Sequence, residues 1–339
     1  MKSMSWAIEM SDISVKRGGR EVLQIQSFNL EKNETVAIIG PNGSGKSTFL
    51  LVASLLLKPA AGKISYLGKP IVSSNRTFFR RMTGVAFQDP LLLDRSILEN
   101  LKIALKLKRP DLKDREGIAD FWLRKLRIQH LANVSPHQLS GGELQRASLA
   151  RVFAVQPDVV FLDEPFSAID EFDRPSLSGD VKDLITESNV ASLIVTHDVS
   201  EAVILANRLM VMSDGGIAQQ GSVAEVLANP VSAEVAKLLG YSVFSVEDFA
   251  RVFACNPPAE NISKVAVPGN AIDVALNSDG IGVIVRLEVS TNGVVALIAV
   301  GNQQFHSEIS IAAVLSSDLT KGNRVEVSVD QSRVVWLSR

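Results

Sequence analysis

The stretch TVAIIGPNGSGKSTFL, residues 35–50, decides how the rest of the chain is read. Its first five residues, TVAII, are short and apolar on both faces, as in a strand buried inside a parallel sheet. From Lys46 to Leu57 the apolar residues fall at helical spacing. Between the two lies Gly40-Pro41-Asn42-Gly43-Ser44-Gly45-Lys46-Ser47-Thr48, which fits G-x-x-x-x-G-K-[ST] in the strand–loop–helix setting that pattern requires. Successive backbone N–H groups of such a loop turn inward onto phosphate oxygens, and the helix N-terminus adds its positive dipole end. Gly43 and Gly45 allow close backbone approach. Lys46 supplies a mobile cation for the β- and γ-phosphates, and the Ser47 hydroxyl is placed to ligate Mg2+.

Further strands of the same kind follow at VAF (85–87), VVFL (159–162) and LIVT (193–196), with helical spacing over 141–155. Strand then helix, repeated, predicts an α/β fold with a parallel sheet. In such sheets ligands gather at the carboxyl ends of the strands. VVFLDEPF (159–166) runs four apolar residues into two carboxylates. Asp163 would reach the Mg2+ hydration shell, and Glu164 would accept a proton from an attacking water. An Asp-Glu turn that merely caps the next segment is equally good by itself; the phosphate loop upstream decides between them. Gln88 and His197 each follow an apolar strand directly and would sit beside the γ-phosphate. In LSGGELQR (139–146), Ser140 and Glu143 form a capping box for a helix. That does not account for Gly141 and Gly142, which cost helix stability but leave bare N–H groups for a second phosphate contact. His130, His137 and His306 have no such setting and read as ordinary surface or core residues.

The 339 residues suit two domains. An apolar share of 46% with 21% charged residues excludes wholesale disorder. Thirty-five Lys+Arg against thirty-seven Asp+Glu give a net charge of −2, so no global pull toward nucleic acid or an anionic bilayer exists. One cysteine, Cys255, permits no internal disulfide and fits a reducing compartment. The start, MKSMSWAIEM, carries no evident signal peptide. The greasiest runs, 49–57 and 294–300, fall far short of the roughly 18 residues of a spanning helix. Residues 91–153 lose the strand signal and read as helices near 101–107 and 118–131; the run LKLKRPDLKDR (105–115) mixes both signs and reads as a solvated face. A helix over 232–239 stops at Gly240. Beyond it 281–289, 294–300, 324–329 and 334–337 are β-rich, separated by Thr291-Asn292-Gly293 and Lys321-Gly322-Asn323; Val325, Val327 and Val329 alternate with polar residues. The expected organisation is an α/β domain over 1–240 with a helical subdomain at about 89–155, a connecting segment 241–277 containing Pro257-Pro258, and a small all-β domain over 278–339.

Taken in order, GPNGSGKST, Gln88, LSGGELQR, VVFLDEPF, SAID (167–170) and His197 resemble the ATP-binding cassette family, specifically the nucleotide-binding subunit of a transporter, over about residues 5–240. LSGGELQR is specific to that family, whereas the phosphate loop is shared by many NTPases. The resemblance implies the P-loop NTPase cassette fold, ATP and Mg2+ as cofactors, and a head-to-tail homodimer. In it, ATP held by residues 40–48 of one copy is covered by Ser140, Gly141 and Gly142 of the other. Glu164 is then the general base, His197 contacts the γ-phosphate, Gln88 senses Mg2+ and water, and Asp170 bridges the dimer. The segment after Gln88, with Leu91 to Leu93, faces a transmembrane permease subunit. One departure concerns adenine: where the family usually stacks an aromatic residue, this chain has Arg17, whose guanidinium plane can stack on a base. Ile169 stands where Leu is commoner.

The region 281–337 looks like the oligobinding-type (OB-like, TOBE) β domain of import ATPases for oxyanions, sugars, polyamines or ferric iron, and 308–337 is similar to the molybdate-type version. Two readings of it stay open, an oxyanion at the C-terminal domain or a dimer-stabilising domain that binds nothing. The resemblance thus implies the ATPase of an importer, for molybdate or tungstate, or alternatively for sugar, polyamine or ferric iron. It would lie in the cytoplasm on the inner face of the cell membrane and serve an extracytoplasmic solute-binding protein indirectly. A cassette ATPase acting on DNA or ribosomes would bring long coiled-coil insertions, two cassettes or a basic footprint; this sequence has none, so no nucleic acid is expected.

Overall fold

The computed structural model describes residues 6–170, 173–255, 258, 261–290, 293–317 and 319–338. The turn residues Thr291 and Asn292, Pro257 and the first five residues singled out above lie outside them. The chain forms two compact units, Met1–Val223 and Ala224–Arg339.

The first unit is built on a six-stranded sheet. Its order is Gly216–Ser222, Arg208–Ser213, Thr35–Ile39, Ala191–Val195, Val159–Asp163, Thr83–Ala86, and all neighbours but the first pair run parallel. Each of its central strands is apolar on both faces because both faces are covered. Phe161, Leu193 and Val195 face one core, shared with Phe49 and Leu50 of the helix Lys46–Ala53 and with a four-stranded antiparallel sheet. Val160, Leu162 and Ile194 face another, filled by the helices Ile97–Lys108, Arg115–Lys125 and Gly141–Ala154. There Trp122 stacks on Phe153 at 5.8 Å. The long hairpin of the antiparallel sheet, Trp6–Arg17 with Arg20–Glu31, is absent from the sequence reading.

The charge run 105–115 is not uniformly a solvated face. Arg109 pairs with Asp111 at 2.9 Å on the surface, but Lys108 turns inward and donates to the Thr83 carbonyl oxygen. Burial, together with the charges of Arg151 and Arg80, pushes the Lys108 ammonium down to about 8. His130, His137 and His306 are exposed.

In the second unit a five-stranded antiparallel sheet runs in the order Ile272–Leu276, Arg324–Val329, Gly282–Ser290, Gly293–Val300, Gln303–Ile309. It curls until its two edge strands meet, with Ser307 Oγ donating to the Ile272 carbonyl oxygen at 2.7 Å. A three-stranded sheet, Ser242–Ser245, Ile262–Val267 and Val335–Ser338, accompanies it. Ahead of the β region read from the sequence, the helix Val246–Phe253, capped by Ser245, buries Phe249 and Val252 beside Phe244 and Phe305. Residues 241–277, read as a connector, therefore supply core strands and that helix. No helix among the described residues is long and apolar enough to cross a membrane.

Candidate active site

Strand register gathers the candidate residues at one edge of the parallel sheet. Ala86 lies opposite Leu162, Asp163 opposite Val195, and Val195 opposite Ile38. The chain segments leaving these carboxyl ends carry Gly40, Gln88, Glu164 and His197.

Gly45 opens the helix Lys46–Ala53 with φ +98°, and a Cβ there would come within 3.1 Å of the Val22 carbonyl oxygen. Only glycine meets both demands. Pro41, Asn42, Gly43 and Ser47 are exposed at the loop surface, and Thr48 is half-buried. Ser44 is buried, and its Oγ has no hydrogen-bond partner among the described residues. An unsatisfied buried hydroxyl costs about 1–3 kcal/mol, and a polar atom of a ligand seated in the loop would satisfy this one. Lys46 Nζ donates to the carbonyl oxygens of Gly40 (2.8 Å) and Pro41 (3.0 Å), leaving one of its three N–H groups over. Burial lowers its pKa, against the opposing charges of Glu164 and Asp163.

Ser47 Oγ donates to Asp163 Oδ1 at 3.4 Å. Burial holds the Asp163 carboxyl above its usual range; the Ser47 hydrogen bond and Lys46 work against that, and the Glu164 charge adds to it. A hydroxyl beside a carboxylate, both oxygen donors, suits Mg2+. Glu164 adopts φ +45°, uncommon for a residue with a side chain, and its N–H donates to the Val195 carbonyl oxygen at 2.9 Å. Its Oε2 lies 3.4 Å from His197 Nδ1.

Among the described residues, no hydrogen bond or ion pair joins the other candidates to this cluster. Gln88 is exposed two residues past its strand. Arg17, also exposed, ends its hairpin strand before the Gly18-Gly19 tip, two positions beyond Val15, whose partner Leu23 lies 3.2 Å from where a Cβ on Gly45 would sit. Ser140 caps the helix Gly141–Ala154 in a reciprocal capping box with Glu143. Among the described residues no hydrogen bond links Ser140, Gly141 or Gly142 to residues 40–48. Gly141 also has a packing reason that sequence reasoning missed: a Cβ would meet the Ala168 carbonyl oxygen at 2.7 Å, whereas Gly142 has 3.5 Å to Ile169. Thr196 and Glu201, hydrogen-bonded to each other beneath the His197 turn, were missed as well; a hydroxyl ending an apolar strand with an acid five residues on is their one signal.

In the second unit a cleft of about 800 Å³ is lined by residues including Tyr241, Asn270, Glu308, Arg333 and Trp336. Arg333 donates to the Asn270 carbonyl oxygen at 2.8 Å.

A phosphate loop feeding a parallel sheet, with an acid pair and a histidine at its edge, defines a nucleotide-binding cassette. The family model described as ABC transporter matches residues 23–167. The chain is 33% identical to the sulfate/thiosulfate import ATP-binding protein CysA of Synechococcus elongatus, over 70% of this chain and 69% of that protein. It is 30% identical to the Fe(3+) ions import ATP-binding protein FbpC 2 of Rhodococcus jostii, over 96% of this chain and 97% of that one. The dimeric post-hydrolysis structure of the ATP-binding cassette MJ0796 bound to ADP and Pi is similar with a TM-score of 0.59 and 28% identity, covering 64% of this chain and 98% of that chain. The chain belongs to the ABC transporter family, as an ATP-binding subunit that hydrolyses ATP with Mg2+.

Proposed function

We propose that this chain is the ATPase of an ABC importer and that Lys46, Ser47, Asp163, Glu164 and His197 carry the hydrolysis. The reading rests on their convergence at one sheet edge. Water attacks the γ-phosphorus in line and the bond to the ADP oxygen breaks. Glu164 takes the proton of the attacking water. Lys46 releases its loop carbonyls and turns its ammonium to the β- and γ-phosphates, while Ser44 donates its free hydroxyl to a phosphate oxygen. Ser47 and Asp163 would hold Mg2+, which would supply neutralising charge, and Gln88 is the residue proposed to sense it. His197, 59% exposed at the side chain, meets the γ-phosphate from the next strand. Arg17 stacks on adenine; an Arg17→Ala protein with unchanged ATP affinity would remove that assignment.

Two copies close head to tail, with the helix N-terminus at Ser140, Gly141 and Gly142 of one covering ATP on the other, and with Asp170 between them. The dimeric MJ0796 cassette supports this arrangement. Closure drives transmembrane permease subunits through the segment that carries Leu91 and Leu93, which are 64% and 51% exposed. The subunit would then work at the inner membrane face.

As cargo, an oxyanion, molybdate or tungstate among the candidates, draws support from the sulfate/thiosulfate relative, which matches over 240 residues. Ferric iron draws support from the relative that matches nearly the full chain, second unit included. The cleft in the second unit holds Glu308 as well as Arg333, and a carboxylate there opposes oxyanion binding. That favours the reading in which the tail binds no oxyanion. Calorimetry of the full chain with molybdate, tungstate and sulfate tests it: binding would overturn the non-binding tail. Co-purification of the tagged chain with a permease from solubilised membranes, with ATP hydrolysis raised in the complex, tests the importer reading.

A further inference from the structure

The turn that carries His197 is fixed from beneath by groups outside the chemistry above. Thr196 is 1% exposed. Its hydroxyl accepts from the Asp198 N–H at 3.0 Å and donates to Glu201 Oε2. Glu201 is 6% exposed and sits in the first turn of the helix Val199–Leu205. That helix is already capped, since Asp198 Oδ1 accepts from the Ser200 N–H at 2.7 Å, so capping does not explain a second acid. Burying a carboxylate is costly unless it is paired and hydrogen-bonded. Burial pushes the Glu201 carboxyl above its usual range; Thr196, Arg174 and His197 act against that and Asp198 adds to it. Arg174 stands with Nε 4.0 Å from Glu201 Oε1 and Nη1 3.7 Å from Asp198 Oδ2. Its Nη2 donates to the Ile169 carbonyl oxygen at 3.4 Å.

The His197 side chain is 59% exposed and its Nδ1 lies 3.4 Å from Glu164 Oε2; the backbone on either side sets where the ring starts from. We propose that Thr196 and Glu201, anchored by Arg174, are positioning residues that aim His197 at the γ-phosphate. Because Arg174 also holds the carbonyl of Ile169, beside Gly142, the same guanidinium ties the His197 turn to the segment on which the Ser140–Gly142 helix end packs. The proposal rests on the reading of His197 given above.

The test measures kcat and KM for ATP in the full-length protein. Thr196→Val keeps the shape and removes the hydroxyl. It is expected to lower kcat about tenfold with KM for ATP within about twofold, a split that misplacement of a transition-state contact produces. Thr196→Ser, which restores the hydroxyl, returns the rate. On a His197→Ala background, Thr196→Val costs nothing further, because its effect passes through His197. Glu201→Gln is read in the same way should Thr196→Val fail to fold. A wild-type kcat in Thr196→Val, no rescue by serine, or an equal added loss on the His197→Ala background overturns the proposal. A wild-type kcat in His197→Ala alone overturns the underlying reading of His197 and leaves a different result from either.

Discussion

Glu164 Oε2 and His197 Nδ1 lie 3.4 Å apart across adjacent parallel strands, with Glu164 held in a left-handed backbone conformation by its own N–H on the Val195 carbonyl oxygen. Strain of this kind costs about 1–3 kcal/mol and persists only where the surroundings enforce it. The conformation turns the carboxylate off the strand toward the phosphate loop edge instead of into the sheet.

Glu164→Gln keeps the side chain's shape and removes the base. ATP binding is expected to persist while turnover falls by about two to four orders of magnitude. With hydrolysis blocked, ATP holds the closed dimer, so size-exclusion chromatography with ATP should show a dimer that the unmodified protein does not accumulate. Unaltered phosphate release would refute the assignment.

Asp163 gives a pH-dependent signature. Its carboxyl is held above the usual range by burial, so the folded chain keeps a proton that the unfolded chain has already released. The folded state is therefore favoured below the usual carboxylate range, and that advantage is lost as pH rises through the elevated value. At neutral pH the charged, buried group lowers stability. Asp163→Asn should raise the melting temperature at pH 7, with the gain shrinking as the solution is acidified, while Mg2+-dependent turnover falls. A gain that stays constant with pH in calorimetry would count against burial as the cause.

Gly141 and Gly142 separate packing from function. Gly141→Ala drives a methyl into the Ala168 carbonyl oxygen at 2.7 Å and should cost about 1–3 kcal/mol of stability. Gly142→Ala meets only ordinary contact at 3.5 Å and gains up to about 1 kcal/mol of helix propensity. Its stability should hold or rise while ATP turnover falls. Thermal denaturation beside an ATPase assay decides this: a Gly142→Ala protein with full turnover removes the second phosphate contact.

The sheet edge was readable in the sequence because its signals are local. TVAII forms the strand Thr35–Ile39, the helix begins at Lys46, and VVFLD ends where the acids begin. The hairpin strand Trp6–Arg17 escaped because a bulge at Asp12, φ +52°, slips its alternation by one residue: Ile8 and Met10 are buried before it, Ile13 and Val15 after it. Lys108 hid in a charged run because inward pairing with a strand carbonyl leaves no mark on local charge pattern. The contact of Gly141 with Ala168 is tertiary and has no local trace. Strands of four to six residues with a single eight-residue helix made 241–277 read as a connecting segment.

That last stretch yields a prediction about the tail. Phe244, Phe249, Val265, Val267 and Ile272 share one core with Ile284, Ile298, Phe305 and Val325. A fragment that begins at residue 278 would leave half of that core without partners, and the remaining strands would expose it. Deleting large buried side chains costs about 2–5 kcal/mol each, more in sum than a small domain's whole stability of about 5–15 kcal/mol. The fragment Ala224–Arg339 should therefore unfold cooperatively in urea, and the fragment 278–339 should show no such transition. A cooperative transition in the shorter fragment would mean that the strands after residue 277 hold a sufficient core of their own, and that the earlier helix and strands are an accessory to it.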